Sequence, residues 1–424
     1  MAVIKEFSAL RFTDKAGEIG TVCCPPYDII SAEEKDEFLS NNEYNIIRLE
    51  LPEQSEAGYA GANATFKEWQ QNGVLATDPE PSLYIYEEKF SVKGVNYAFK
   101  GFVCYVQLAE FSENIVLPHE ETLSKAKADR FNLINATGCS FSQIYSLYSD
   151  KKGDTARILS ELSARTPDQS FTDSAGVTHN LWIVPKSEKT AEICRQFENR
   201  KLYIADGHHR YETALNHRRY VRENGITAPN SEYVMMFLVD MENDGLVVFP
   251  THRIVRGIEN FDGAQLLKKA EKYFDIADIN VSDIESFLDG EYKNGKKAYV
   301  YYDGKKCAAL TLRDITVMDN LFPEKSVALR RLDVTVLHSL VLEETLGIDK
   351  ENMANQKNLT YTRSLEEALN STNKGADCCF ILNPTRIEEI ADVAAAGEKM
   401  PQKSTYFYPK LITGMVMNKI KDVK

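Results

Sequence analysis

The residues best suited to chemistry in this chain stand in one run, Ile204-Ala205-Asp206-Gly207-His208-His209-Arg210-Tyr211-Glu212-Thr213. The apolar residues at 201–205 predict a strand that runs directly into Asp206, and Tyr211, Ala214 and Leu215 supply the inward face of a helix beginning just after Gly207. A helix start offers unpaired amides and the positive end of a dipole, so this junction suits an anion. Gly207 allows close backbone approach, Arg210 can hold a phosphate or carboxylate through two parallel hydrogen bonds, and His208 or His209 can exchange a proton near neutral pH. Adjacent helical residues point about 100° apart, which predicts separate roles for the two histidines rather than a shared metal. Asp206 has three readings: a helix cap, a ligand for a divalent ion, or a base.

A second constellation is His119-Glu120-Glu121-Thr122, followed by Lys125, Lys127, Asp129 and Arg130. Glu120 or Glu121 would hold Mg²⁺ or accept a substrate proton, and Lys127 or Arg130 would neutralise a phosphate. His119 reads as a hydrogen-bonding group, because no separated His/Cys/Asp set fixes a zinc site. A third patch, Pro250-Thr251-His252-Arg253, is expected to aim His252 and Arg253 into the same cleft. A fourth offers Lys403, Ser404 and Thr405 beside the aromatic Tyr406-Phe407-Tyr408, without the glycine-rich approach of a P-loop. For each of these the plainer alternative is a solvated loop or a packed turn with peripheral charge. Pro25 and Pro26 would either hold Tyr27 and Asp28 at a site rim or simply punctuate the chain, and Glu343 and Glu344 are expected to face water.

The elements that position these residues alternate between strands and helices. Strands are expected at 83–87, 96–100, 102–108, 141–148, 179–184, 201–205, 233–239 and 246–249, and helices at 59–71, 154–164 and 188–200. Ser31 followed by Glu34 gives a capping-box start to a helix through Leu39. The polar stretch 118–130 interrupts this pattern and reads as a charged connection at the lip of a cleft. Further on, helices are expected at 263–274, 281–288, 333–346 and 365–370, a hairpin over 297–312 about Asp303-Gly304, and a buried strand at 378–382. The whole predicts an α+β protein, a mixed sheet with packed helices, divided as residues 1–259 carrying the Asp206 turn and a smaller α/β unit at 260–424 that completes the cleft.

A chain of 424 residues, 43% hydrophobic, can build a substantial core, and its net charge of -13 disfavours a surface made to track nucleic acid. Lys5 and Glu6 interrupt the start where a secretory signal needs an apolar stretch, and the longest apolar run, at 234–239, falls far short of a membrane span. A cytoplasmic protein without a membrane partner is expected. The eight cysteines lack C-x-x-C or zinc-ribbon spacing and read as reduced and structural. Apolar helical stripes are compatible with burial inside the chain or across a homodimer.

Six ordered motifs then carry a resemblance that spans nearly the full chain: CPPYDIIS at 24–31, HEET to DR at 119–130, ADGHHRYETA at 205–214, FPTHR at 249–253, LDVTVLH at 332–338 and MPQKSTYFYPK at 400–410. Together they resemble the family catalogued as domain of unknown function 1015. Within them, Gly207, His209 and Arg210 are similar to the phosphate-handling G-x-H-R turn of the ParB/sulfiredoxin-like fold, whose members include nucleotide-binding partition proteins, sulfiredoxins and free-serine kinases. A sulfiredoxin reaction would require a cysteine beside the turn, where this chain has a histidine pair and its nearest upstream cysteine, Cys194, falls in an expected helix. Partition activity is disfavoured by the acidic balance and by the lack of a helix-turn-helix pattern.

The phosphate-compatible turn and its acidic companions lead to an expectation of nucleotide-dependent and Mg²⁺-dependent phosphoryl transfer to a small hydroxyl-bearing metabolite, with free serine as one acceptor. In that scheme Glu120, Glu121, Asp206, His208 and His209 are the catalytic candidates and Glu120 and Asp206 the metal ligands. Gly207, Arg210, Lys127, Arg130, His252, Arg253, Lys403, Ser404 and Thr405 would hold a nucleoside di- or triphosphate. The alternatives are a hydrolase for a phosphorylated metabolite and a nucleotide sensor without turnover.

Overall fold

A computed structural model describes residues 1–122 and 124–421. The chain divides into two units, and the first comprises Met1–Pro118, Thr122–Leu246 and Pro409–Lys424. Among its described residues, nine strands form one mixed sheet: β1 (Ile4–Lys5), β2 (Ser82–Val92), β3 (Val95–Gln107), β4 (Val116–Leu117), β5 (Ile144–Tyr148), β6 (Gln169–Thr172), β7 (Thr178–Pro185), β8 (Leu202–Asp206) and β9 (Tyr233–Asp240). Their order is β4-β8-β5-β9-β3-β2-β7-β6, with β1 paired to the far half of β3. β8 runs parallel to β4 and β9 parallel to β5, while β8 and β5 are antiparallel. The uninterrupted apolar run of β9 is buried throughout from Val234, as a central strand covered on both faces requires.

The helices that matter for the site are α1 (Ala32–Asn41), α2 (Glu56–Gln71), α3 (Ser124–Thr137), α4 (Asp154–Leu162), α5 (Glu188–Phe197) and α6 (His208–Glu223). α1 carries the expected capping box between Ser31 and Glu34. Ile158 and Leu159 of α4, Ile193 and Phe197 of α5, and Tyr211 and Leu215 of α6 pack onto Ile85, Phe102, Ile144, Met236 and Leu238 of the sheet, which fixes the axis of α6 against the end of β8.

Two local expectations need correction. The strands expected at 96–100 and 102–108 are one strand, β3, which passes through Gly101 because a Cβ there would strike the Leu238 carbonyl and the Phe237 ring. The polar stretch 118–130, expected as a connection, becomes helical from Ser124. Its buried positions Arg130, Leu133, Ile134 and Thr137 follow helical spacing, and an arginine at the head of the stripe disguises it in the sequence.

The second unit comprises His119–Glu121 and Val247–Tyr408. Its described residues form a six-stranded antiparallel sheet from β10 (His252–Val255), β11 (Phe274–Asp278), β12 (Ala298–Tyr302), β13 (Cys307–Leu312), β14 (Leu359–Thr362) and β15 (Cys378–Ile381), in the order β11-β13-β12-β15-β10-β14. Gly304 supplies the positive φ of 86° that the turn between β12 and β13 requires. Because β10 is hydrogen-bonded between β14 and β15, the break between units precedes it, at Leu246/Val247 rather than near Glu259. Pro409–Lys424 returns to the first unit, where Asn418–Lys419 pairs with Cys139–Ser140.

The helix expected at 333–346 is α7 (Asp333–Leu337) followed by a π-helical stretch, His338–Glu343. Apolar spacing reports which face is buried and not the hydrogen-bond register, so the widened turn carries no sequence signal. The α+β architecture is as expected. No helix among the described residues is long and apolar enough to cross a membrane, and all eight cysteines are free thiols.

Candidate functional site

β8 delivers Asp206 through an irregularity in its pairing: Ile204 faces Ser146, but Asp206 faces Tyr145, so the register shifts across Ala205. Such a bulge re-aims the last side chain of a strand. Gly207 follows with φ of 95° and supplies no side-chain cap to α6. A Cβ on Gly207 would come within 3.0 Å of Arg210 Nε, so both the backbone conformation and the folded-back arginine call for glycine here. The helix is anchored by Tyr211, whose hydroxyl donates to Ala109 O at 2.7 Å and accepts from Ala109 N at 3.1 Å.

Two cations converge on Asp206. Arg210 Nη2 donates to Oδ2 at 2.5 Å, Lys410 Nζ donates to Oδ1, and Arg210 Nη1 donates to the Gln143 carbonyl. Burial on its own would raise the Asp206 pKa, but Lys410 and then Arg210 outweigh it and hold the carboxyl well below the usual carboxylate range. Asp206 is therefore a fixed anion and a weak base, and both of its oxygens already carry a cation. The adjacent histidines differ as the helical geometry requires: His208 is buried and His209 half-buried. Further along α6, Glu212 accepts from Thr122 Oγ1 at 2.9 Å and from Lys127 Nζ at 2.7 Å.

Arg130 stands in a different setting. Only 4% exposed, it donates to Asp129 Oδ2 at 2.6 and 2.8 Å and to Glu50 O at 2.8 Å, with Glu50 Oε1 at 3.4 Å and the Tyr27 ring 4.0 Å away. Tyr59 donates to Asp129 Oδ1 and Ser142 to Glu50 Oε1, each at 2.7 Å. Burial works against the Arg130 cation, but Glu50 and Asp129 more than restore it and its pKa is raised. Arg130, Glu50, Ser142 and Arg210 line one cavity of about 30 Å³, room for a water molecule or two. The polar groups of this first-unit site thus run from Asp206 through Arg210 to Glu50 and Arg130.

The remaining candidates belong to the second unit. Glu120 Oε1 accepts from Ser404 N at 3.1 Å, His119 Nε2 lies 3.2 Å from Thr405 Oγ1, and Met400 N donates to His119 O at 2.7 Å. Lys403 is exposed with φ of 56°, and Glu121 is exposed. His252 and Arg253 are consecutive on β10, so they point to opposite faces of the sheet and do not share one cleft as expected. Burial, and then Arg253, push the His252 pKa down to about 4. Arg253 is completely buried; its Nε donates to His338 Nε2 at 3.2 Å and its other donors reach the Thr251 and Lys403 carbonyls.

Among the described residues no three His, Cys, Asp or Glu side chains are grouped as a metal site. Asp206 already has Lys410 and Arg210 on its two oxygens, and Glu120 Oε1 accepts from Ser404 N. The residue that local sequence reading passed over is Lys410, which closes on Asp206 from 204 positions away; the MPQKSTYFYPK motif that ends on it was the one available signal.

No curated protein matches the chain. Among solved structures it is similar to a free serine kinase variant in complex with ADP, at 15% identity over 75% of this chain and 92% of that one, with a TM-score of 0.39. A conserved hypothetical protein from Pyrococcus furiosus is 16% identical over 72% and 90%, with a TM-score of 0.35. SbnI from Staphylococcus aureus, with a C-terminal truncation, is 10% identical over 74% and 86%, with a TM-score of 0.36. Residues 4–335 match the family described as "Protein of unknown function (DUF1015)", and the chain belongs to that family.

Proposed function

We propose that the junction of β8 and α6 binds the phosphate of a nucleotide and that the protein transfers a phosphoryl group from it to the hydroxyl of a small metabolite, free serine being the first acceptor to test. The observation that carries this reading is the start of α6. A sixteen-residue helix begins at a left-handed glycine without a side-chain cap, beside a carboxylate that holds Arg210 and Lys410 in place. An incoming phosphate would meet the positive end of the helix dipole and two cations already ordered for it. The acceptor class comes from the resemblance of Gly207, His209 and Arg210 to the phosphate-handling turn.

In this reading Asp206 is a positioning residue, kept ionised by the cations it orients. Lys127 and Arg130 hold α6 and the interior through Glu212, Glu50 and Asp129 rather than meeting the phosphate. The acceptor oxygen bonds to phosphorus as the P–O bond to the nucleotide breaks, the bond pair leaves with the nucleotide, and the hydroxyl proton passes to a base. Within the first unit His208 and His209 are the candidates for that base, separated by single substitutions to Gln. Mg²⁺ would arrive on the phosphates of the nucleotide.

The test is calorimetry of the full chain with ATP, ADP and AMP, followed by product analysis with serine and a panel of hydroxyl-bearing metabolites, with and without Mg²⁺. Nucleotide binding that weakens at least tenfold in Arg210→Ala and Lys410→Ala, together with a new phosphorylated acceptor, is the expected result. Inorganic phosphate released from a phosphorylated metabolite without nucleotide consumption would make the protein a hydrolase, and binding without turnover a sensor. A chain that binds no nucleotide and phosphorylates nothing would sink the reading.

A further inference from the structure

The second unit carries a half-open cavity of about 250 Å³. Its buried lining includes Leu329, Thr335, His338 and Met353. Thr335 lies on α7 and is 4% exposed, yet its hydroxyl has no hydrogen-bond partner among the described residues. A buried helical threonine ordinarily returns that hydroxyl to a carbonyl one turn back. Leaving it unpaired strips water from a buried polar group with no bond in return. His338 opens the π-helical stretch, a distortion that recurs at functional sites. Arg253 Nε can only donate, so His338 Nε2 accepts and the imidazole proton stays on Nδ1.

Charge is gathered at the outer part of the same cavity in both signs. Lys325, Lys350 and Lys399 line it together with Glu121, Glu343 and Glu398. Behind the wall formed by His338 and Tyr361, Arg253 adds a further cation that no carboxylate touches among the described residues. A ligand bearing only one sign of charge would leave half of this rim facing its own sign. The volume is below the roughly 300–1,000 Å³ of pockets that take drug-sized molecules, which points to a small metabolite rather than a nucleotide.

We infer that this cavity is a binding site for a small zwitterionic metabolite of amino-acid size, whose uncharged polar end takes the Thr335 hydroxyl and whose carboxylate and ammonium groups are matched by the lysines and glutamates of the rim. The inference rests on the second unit alone and holds or fails independently of nucleotide binding in the first. It also absorbs the 332–338 motif, which supplies Thr335 and His338 and has no part in the first-unit site.

The experiment is calorimetry of the full chain against the twenty standard amino acids, and against the matching carboxylic acids and amines that lack one of the two charges. At least one amino acid should bind, and removing either charge should weaken it tenfold or more. Thr335→Val should weaken it to the same extent while leaving the melting temperature unchanged or higher, because the substitution removes a hydroxyl that the empty protein cannot satisfy. Met353→Trp, which fills the cavity from another side, should abolish binding. The inference is overturned if no amino acid binds, if a singly charged analogue binds as well as its zwitterion, or if binding survives both substitutions. A fall in melting temperature for Thr335→Val would overturn it as well, since the hydroxyl would then be paired within the fold.

Discussion

Arg130 in the first unit and Arg253 in the second are both buried arginines, 4% and 0% exposed, and they are solved in opposite ways. Arg130 sits among carboxylates, with Asp129 and Glu50 supplying countercharge and the Tyr27 ring covering its face. Arg253 has carbonyls, an imidazole and the Tyr361 ring, with no carboxylate in hydrogen-bond contact among the described residues. The acid–base consequence follows the neighbours: the Arg130 pKa rises, whereas burial pulls that of Arg253 down to about 10. A compensated guanidinium fastens helices together. The one without a carboxylate in contact is offset only in part, by Tyr361, Glu120 and Tyr299 at longer range, and burial prevails.

The largest effect is expected at the compensated site. Arg130→Met would leave Glu50 and Asp129 buried without their cation, and loss of one partner from a buried ionic cluster costs about 3–5 kcal/mol. Urea unfolding of the full chain measures it. A loss below about 1 kcal/mol would mean that the two carboxylates take up protons or water at little cost, and the contrast with Arg253 would collapse.

Next in size is the clamp at the head of α6. Asp206→Asn should cost about 1.5–3 kcal/mol, the range for hydrogen bonds to charged groups, because Lys410 and Arg210 lose their shared anion. Its pH dependence has a definite sign. The folded pKa of Asp206 lies below the unfolded value of about 3.9, so its contribution is present above pH 4 and is lost as pH falls toward the folded value. Wild type and Asp206→Asn should therefore converge in stability on acidification. A gap that stays constant down to pH 2 would show that the substitution acts through packing and not through charge.

Arg253→Met should do much less, about 1 kcal/mol or less in either direction, since removing a buried cation that no carboxylate touches among the described residues relieves a desolvation cost while giving up hydrogen bonds to carbonyls. A loss as large as that of Arg130→Met would make Arg253 a structural element after all.

The features these substitutions probe differ in how far they could be read from the sequence. The strand, glycine and helix around Asp206 were legible because each rests on local pattern: an apolar run, a residue that tolerates positive φ, and helical spacing of Tyr211 and Leu215. The partners of that turn were not, because Lys410 and the Gln143 carbonyl reach it from distant parts of the chain and a pairing at such separation leaves no local trace. The α+β class followed from alternating elements, whereas the unit boundary depended on β10 choosing β14 and β15 as neighbours. His252 and Arg253 were misjudged for a related reason: treated as a motif they act together, but as a strand they must diverge.

The smallest effect extends the comparison from arginines to histidines. His179 on β7 is buried with carboxylates: its Nε2 lies 3.1 Å from Asp173 Oδ2, its Nδ1 lies 3.4 Å from Glu88 Oε1, and Tyr86 Oη is 2.6 Å from Nδ1. Burial disfavours the imidazolium there, but Asp173 and Glu88 prevail and its pKa is raised. At His338, burial and Arg253 act together and lower it. Linkage then gives opposite slopes. The contribution of His179 is fully present below the ordinary histidine value of about 6.5 and is lost as pH rises through its folded pKa; that of His338 is present above about 6.5 and is lost as pH falls. Imidazole NMR of the full chain, assigned with His179→Gln and His338→Gln, should show the His179 ring titrating above the ordinary histidine value and the His338 ring well below it. If both rings titrated together near the ordinary value of about 6.5, the neighbouring charges would not govern these sites, and the contrast between the surroundings of Arg130 and Arg253 would fall with them.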